Sequence, residues 1–214
     1  MIYVQKEILI RVGHSGEYLQ VARDVLPIAE RCGWKLLGAY GRVIGNTISV
    51  ADRNVIEFWE VPDTATIQTL LDDPDYLALA DRIEACLSKE VTTLFRAFDV
   101  PGADAFPRVE WKDGKPPLYQ HASLNLKRGS REKFRELISH CVPLFGKSGW
   151  KLLGSYSSLT GPNDSIIDFW EIPDSAAIED ALHNPELMPL LPKIHANIMD
   201  ETFTIMTPLP IREG

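Results

Sequence analysis

The octapeptide GWKLLGAY at residues 33–40 returns as GWKLLGSY at residues 149–156, with one letter changed. The match extends well beyond these eight letters, and it constrains the fold more tightly than any other feature. At the same spacing of 116, Tyr3 meets Tyr119, Ile8 meets Leu124, Gly13 meets Gly129, Tyr18 meets Phe134 and Pro27 meets Pro143. Beyond Tyr40 the spacing falls to 111, and FWEVPD (58–63) lies on FWEIPD (169–174). Leu79, Ile83 and Glu90 then meet Leu190, Ile194 and Glu201. The five residues missing from the second copy lie between Tyr156 and Phe169, which marks a loop free to change length. A period of about 110 residues is too long for a solenoid unit. The chain therefore reads as a duplicated domain, with one copy over 1–98 and another over 118–208. Residues 99–117, with four prolines, two glycines and no periodicity, form a linker.

Each copy has the same order of elements. YVQKEILIRV alternates as a strand does. The next segment has apolar residues at Tyr18, Val21, Val25, Ile28, Ala29 and Cys32, which is helical spacing, and Gly33 is a stop signal. Pro27 within it is a potential kink. WKLLGAY and NVIEFWEV are strands separated by a long loop. Asp63 and Asp174 stand where helix N-caps belong. The following helix is interrupted at Asp73-Pro74, and VTTLFRAF closes the copy as a strand. The order β-α-β-β-α-β predicts an α+β fold of two tandem ferredoxin-like repeats.

Such a repeat covers one face of its sheet with helices, and the other face must be covered or wet. In the third strand Ile56 and Phe58 share one face, and Val55, Glu57, Trp59 and Val61 share the other. The second copy repeats this with Ile167 and Phe169 against Ile166, Asp168, Trp170 and Ile172. The purely apolar pairs are assigned to the helix side, together with Glu60 and Glu171. The opposite faces, too apolar to stay wet, are expected to meet and close into an eight-stranded barrel. On the first strand Val4, Ile8, Ile10 and Val12 share one face. Tyr3, Gln5, Glu7, Leu9 and Arg11 would face the interior, matched by Tyr119, His121, Ser123, Asn125 and Lys127. Mixed aromatic, aliphatic and polar residues are what line a small-molecule cavity.

Composition narrows the partners. Apolar residues make up 45% and charged residues 24%, an ordinary globular balance. A formal net charge of −8 argues against a nucleic-acid partner. Three cysteines without CxxC spacing argue against a disulfide framework or structural zinc. No apolar run reaches the roughly 18 residues of a membrane span, and the N-terminus lacks a signal-peptide layout, so a cytoplasmic protein is expected. The glycines form no phosphate cradle, and no cofactor is expected. Metal ligation by His183 or His195 is disfavoured, because neither has a partner at ligand spacing.

NVIEFWEVPD with LLDDPDYLAL, matched by SIIDFWEIPD and ALHNPELMPL, resembles the NIPSNAP-like proteins of the dimeric α-β barrel superfamily. The resemblance covers most of both copies. It implies that this chain is a tandem fusion building by itself the pseudo-dimer that members usually form from two chains, as a monomer or a further homodimer. The family commonly has His two residues before the strand Trp; Glu57 and Asp168 stand there instead. The superfamily includes cofactor-free monooxygenases, haem-degrading oxygenases, cyclases and isomerases.

Two readings of function follow. In the first, the barrel binds an apolar or aromatic small molecule and acts as a cofactor-independent isomerase, cyclase or monooxygenase. Glu57, Asp168 and His121 would be its acid/base groups, because a carboxylate beside Trp in an apolar enclosure has a raised pKa. Trp59, Trp170, Tyr40, Tyr156, Ser123 and Asn125 would contact the substrate. The competing reading of these residues is structural: carboxylates paired with Arg11 or Lys127, polar residues on a wet rim, and tryptophans filling core volume. In the second reading of function, the chain is a non-catalytic ligand-binding or interaction module.

Overall fold

The computed structural model describes residues 1–44, 53–103, 117–161 and 164–212. In the first half β1 (Ile2–Ile10) leads to α1 (Ser15–Arg31), β2 (Lys35–Ile44) and β3 (Arg53–Val61). A broken helical stretch follows as α2 (Thr64–Leu71), α3 (Pro74–Leu77) and α4 (Ala80–Cys86), and β4 (Leu87–Ala97) ends the half. The second half has β5 (Leu118–Leu126), α5 (Arg131–Gly146), β6 (Lys151–Ser158) and β7 (Ser165–Ile172). It continues through α6 (Ser175–Leu182) and α7 (Leu191–His195) to β8 (Ile198–Pro208). Each half is thus the α+β order β-α-β-β-α-β read from the sequence, with the second helix in pieces. Its sheet runs β4-β1-β3-β2 in the first half and β8-β5-β7-β6 in the second, every pairing antiparallel.

The capping signals act as read. Asp63 accepts from the Thr66 amide at 2.9 Å and Asp174 from the Ala177 amide at 3.0 Å. Asp73 accepts from the amides of Asp75 and Tyr76, opening α3 at Pro74. Helix α1 continues through Pro27, and α5 through Pro143.

The repeated octapeptide is a structural part made twice. Gly33 and Gly149 take φ of 91° and 81°, where a side chain would be strained, and so end the preceding helix. The next residue, Trp34 or Trp150, is buried. Its indole donates to a carbonyl of the following helix, Thr66 O at 3.2 Å or Ala177 O at 2.9 Å. Gly38 and Gly154 sit where the strand pairing shifts by a residue, and the rings of Tyr40 and Tyr156 lie across them. A Cβ on Gly38 would fall 2.2 Å from the Tyr40 hydroxyl oxygen, and one on Gly154 2.5 Å from that of Tyr156.

Strand pairing decides which side of each sheet the helices cover, and it reverses the sequence-based assignment for the third strand of each half. Val4, Lys6 and Ile8 stand opposite Trp59, Glu57 and Val55, so these residues share one face. That face packs with Tyr18, Ala22 and Ala29 of α1 in one core. In the second half, Gln120, Ala122 and Leu124 stand opposite Trp170, Asp168 and Ile166, over Phe134, Leu137 and Ile138 of α5. Glu57, Trp59, Asp168 and Trp170 therefore face the helices. Ile56, Phe58, Ile167 and Phe169 face away, as do Glu60 and Glu171. Alternation separates two faces without naming them. The register of β3 against the apolar residues of β1 names them.

Two compact units emerge among the described residues. The first takes in 1–42, 53–95 and 208–212, and the second takes in 43–44 and the described part of 96–207. The segment after β8 thus belongs with the first half. Leu209 donates its amide to Ala39 O at 2.8 Å, and Ile211 is 4% exposed within the first-half core. The segment after β4 likewise belongs with the second half. Phe98 donates to Ser155 O at 2.8 Å, and Val100 enters that core.

Replacing Gly38 with Ala should destabilise the protein by about 1–3 kcal/mol, the usual cost of forcing extra volume into a packed site. Urea unfolding of Gly38→Ala checks this. The loss should shrink when Tyr40→Ala is added, because the collision is then gone.

Candidate functional site

The first half holds a cavity of about 40 Å3 between the helix face of its sheet and the helices above it. Its walls come from β1, α1, β3, α3, α4 and β4, with Ile211 from the C-terminal segment. Five of the lining residues carry polar atoms that matter chemically: Lys6, Tyr18, Glu57, Trp59 and Glu90.

Glu57 is 7% exposed. One carboxylate oxygen accepts from the Tyr18 hydroxyl at 2.5 Å and the other from the Trp59 indole N–H at 3.0 Å. Both donors are neutral. Lys6 extends from the strand position opposite Glu57 and pairs with Glu90 at 3.3 Å, its side chain 15% exposed. Burial pulls the Lys6 ammonium down, but Glu90 and Glu57 outweigh this, so its pKa is raised and it stays charged. The Tyr18 hydroxyl is pushed well above its ordinary value by burial and then by the Glu57 charge, so it remains a proton donor. The cluster carries two carboxylates against one ammonium.

The C-terminal segment roofs part of this cavity. Arg23 of α1 donates twice to Pro210 O, at 3.2 and 2.9 Å, and Arg212 pairs with Glu30 at 2.6 Å. These exposed contacts hold Ile211 in place between them.

The equivalent positions of the second half are apolar and belong to its core. Phe134, Leu137 and Ile138 replace Tyr18, Val21 and Ala22, and Ala122 replaces Lys6. Asp168 is 1% exposed and accepts from the Ser155 hydroxyl. Burial raises its pKa to about 7, and the Ser155 bond opposes that shift without cancelling it. Glu201, the counterpart of Glu90, pairs with His195 at 3.5 Å.

The residues singled out from the sequence do not converge. Glu57 and Trp59 line the cavity, while Asp168 and Trp170 lie in the core of the second half. Trp59 meets Trp34 edge to face at 5.7 Å between ring centroids, and Trp170 meets Trp150 in the same way at 6.1 Å. His121 is 4% exposed on the face away from the helices, its ring 4.9 Å from Phe169. His121 and Asp168 are therefore on opposite faces of one sheet. Tyr40 and Tyr156, also on faces away from the helices, are buried over their glycines; Tyr40 lies within β2 and not at its end. Ser123 is half-buried, and Asn125 is 3.5 Å from Asp200 near the strand end. Arg11 and Lys127 pair with neither carboxylate. They donate to Leu87 O at 2.7 Å and Ala196 O at 2.6 Å. Of the two long loops, residues 45–52 and 162–163 lie outside the described residues, as do 104–116 of the linker.

Lys6, Tyr18, Glu90 and Ala22 were missed from the sequence. The signal was present: aligning the copies along the helix face, and not along the third strand alone, shows each of the first three as a polar or aromatic residue and Ala22 as the smaller partner of Ile138. A larger hollow of about 530 Å3 beside α5 is open, and the four charged residues that the helix gives it are paired with each other, Lys133 with Glu136 at 3.1 Å and Arg135 with Glu132. Among the described residues no group of three or more His, Cys, Asp or Glu could hold a metal ion, and no helix is long and apolar enough to cross a membrane.

The Asp168 carboxyl makes stability depend on pH. Unfolded, it titrates near its ordinary value of about 4; folded, it titrates at about 7. Its contribution is therefore fully present below about pH 4 and is lost as pH rises to about 7, a swing of up to about 4 kcal/mol. In Asp168→Asn that fall should vanish. Urea midpoints at pH 4.5 and pH 8 should lie closer together than in the unaltered protein.

No protein-family profile matches this sequence, and no curated protein matches it. Among solved structures, a putative monooxygenase from Fusobacterium nucleatum aligns with a TM-score of 0.69 at 10% identity, covering 97% of this chain and 92% of its own. A mutant chlorite dismutase from Candidatus Nitrospira defluvii aligns with a TM-score of 0.63 at 13% identity, covering 98% of this chain and 92% of its own. A NIPSNAP domain protein from Burkholderia xenovorans, 21% identical, covers 46% of this chain and 95% of its own, with a TM-score of 0.38. Over nearly its whole length, this chain has the α+β fold of dimeric α-β barrel proteins.

Proposed function

We propose that this chain is a NIPSNAP-like small-molecule-binding protein whose ligand enters the cavity between the sheet and helices of the first half. One observation carries this reading: at the cavity the two copies diverge in one direction. Where the second half has Ile138 and Leu137, the first has the smaller Ala22 and Val21. Where the second has Ala122 and Phe134, the first has Lys6 and Tyr18. The second half shows that the same positions can be held by apolar residues. Burying the Glu57 carboxylate beside a half-buried ammonium is costly unless they serve each other or a guest.

The cavity volume of about 40 Å3 exceeds a water molecule's share of the liquid, roughly 30 Å3. It suits the polar end of a ligand whose apolar or aromatic body rests in the mouth. The NIPSNAP-like motifs support the family part of the reading, and proteins of this fold named as a monooxygenase and a chlorite dismutase are consistent with small-molecule chemistry in such a frame. Asp168 and His121 have no part in this version of the site.

The test is a fragment screen by two-dimensional NMR with one-ring aromatic alcohols, ketones and amines. Binders should shift the Trp59 indole and Ala22 signals and leave Trp170 unmoved. Ala22→Ile and Val21→Leu, each importing the second-half residue, should weaken binding tenfold or more with the fold retained. Fragments that ignore the first-half signals, or bind both variants undiminished, would remove this reading.

A further inference from the structure

Glu57 is buried, borders the cavity, and has neutral hydrogen-bond donors on both its oxygens. The nearby ammonium of Lys6 is committed to Glu90 at 3.3 Å. A carboxylate has about four acceptor sites, and Tyr18 and Trp59 occupy two of them. The remaining capacity belongs to a charged group in an apolar enclosure, where an opposite charge is worth far more than in water. The rings of Tyr18, Trp59 and Tyr76 line the same cavity. The apolar part of the wall, Ile8, Val25 and Ile211 among it, would receive carbon and not a second charge.

From this geometry we infer that the first-half cavity takes an organic ammonium: a small amine with an apolar or aromatic body, its charged nitrogen hydrogen-bonded to Glu57. The inference rests on the cavity being a binding site, as proposed above, and adds the class of ligand. The charge count agrees with it, because two carboxylates against one ammonium leave the cluster with one negative charge in excess. The upward shift of Lys6, against the pull of its burial, reports the same surplus. An anionic ligand would meet that surplus unfavourably. A neutral alcohol could bond to Glu57 but would not neutralise it.

Three probes with one body and different heads separate these cases: benzylamine, benzyl alcohol and benzoate. Each is titrated at pH 7 into the whole protein and followed through the Trp59 indole signal. Benzylamine should bind about tenfold or more tighter than benzyl alcohol, the equivalent of a single charge-assisted hydrogen bond, and benzoate weakest of all. Glu57→Gln should bring the amine down to the level of the alcohol. Glu90→Gln frees Lys6 to pair with Glu57 and removes the surplus charge, so it should also narrow the gap between benzylamine and benzyl alcohol. If benzyl alcohol or benzoate binds as tightly as benzylamine at the same signals, the ammonium assignment fails and the binding site stands. If none of the three moves the first-half signals, both fail.

Discussion

A buried carboxylate must be held, and the way Glu57 is held organises the first half of this protein. The Tyr18 hydroxyl reaches it from the helix and the Trp59 indole from its own strand. Those two bonds link α1 to β3 across the helix–sheet interface, at a position where apolar packing would otherwise do the work. Because the contacts are directional, they hold α1 at hydrogen-bonding distance and not at the closest approach of side chains, and Val21 and Ala22 leave the remaining gap open. The second half shows the alternative. Its carboxyl, Asp168, is shorter, draws its partner from the neighbouring strand through Ser155, and leaves α5 free to settle onto the sheet through Phe134, Leu137 and Ile138.

The two halves therefore differ in how a buried carboxyl is accommodated. The second closes its core with apolar side chains and carries a carboxyl whose pKa burial raises to about 7. The first gives up packing around a charged cluster. Proteins sit only modestly above the stability they need, and a cavity with buried charge is a net cost unless used. A duplicated chain can bear that cost in one copy while the other supplies a complete core.

Much of the fold was legible in the sequence. The repeat gave the element order, Asp63, Asp174 and Asp73-Pro74 gave helix starts, and Gly33 and Gly149 gave helix ends. The site was half legible. Glu57 and Trp59 stood out as a polar–aromatic pair on a strong strand, yet the face they occupy was assigned the wrong way. The error assumed that a helix-covered face is purely apolar, which the Tyr18–Glu57 bond contradicts. Nothing within the strand reveals its register, but Val4, Ile8 and Ile10 on the neighbouring strand did identify the helix face, and antiparallel pairing carries that identity to Trp59 and Glu57. Lys6 was read past because a lone lysine in an alternating strand looks solvated. Its side chain is covered only because α1 and α4 close over it, which is a property of tertiary packing.

The short segments after β4 and β8 have a consequence for how the chain can be divided. Phe98 and Val100 complete the core of the second unit, and Leu209 and Ile211 complete that of the first. A cut made in the linker would give each fragment the wrong ending: the N-terminal piece would lack the residues that roof its cavity, and the C-terminal piece would lack those that fill its core. Each unit closes its core with residues that follow the last strand of the other half.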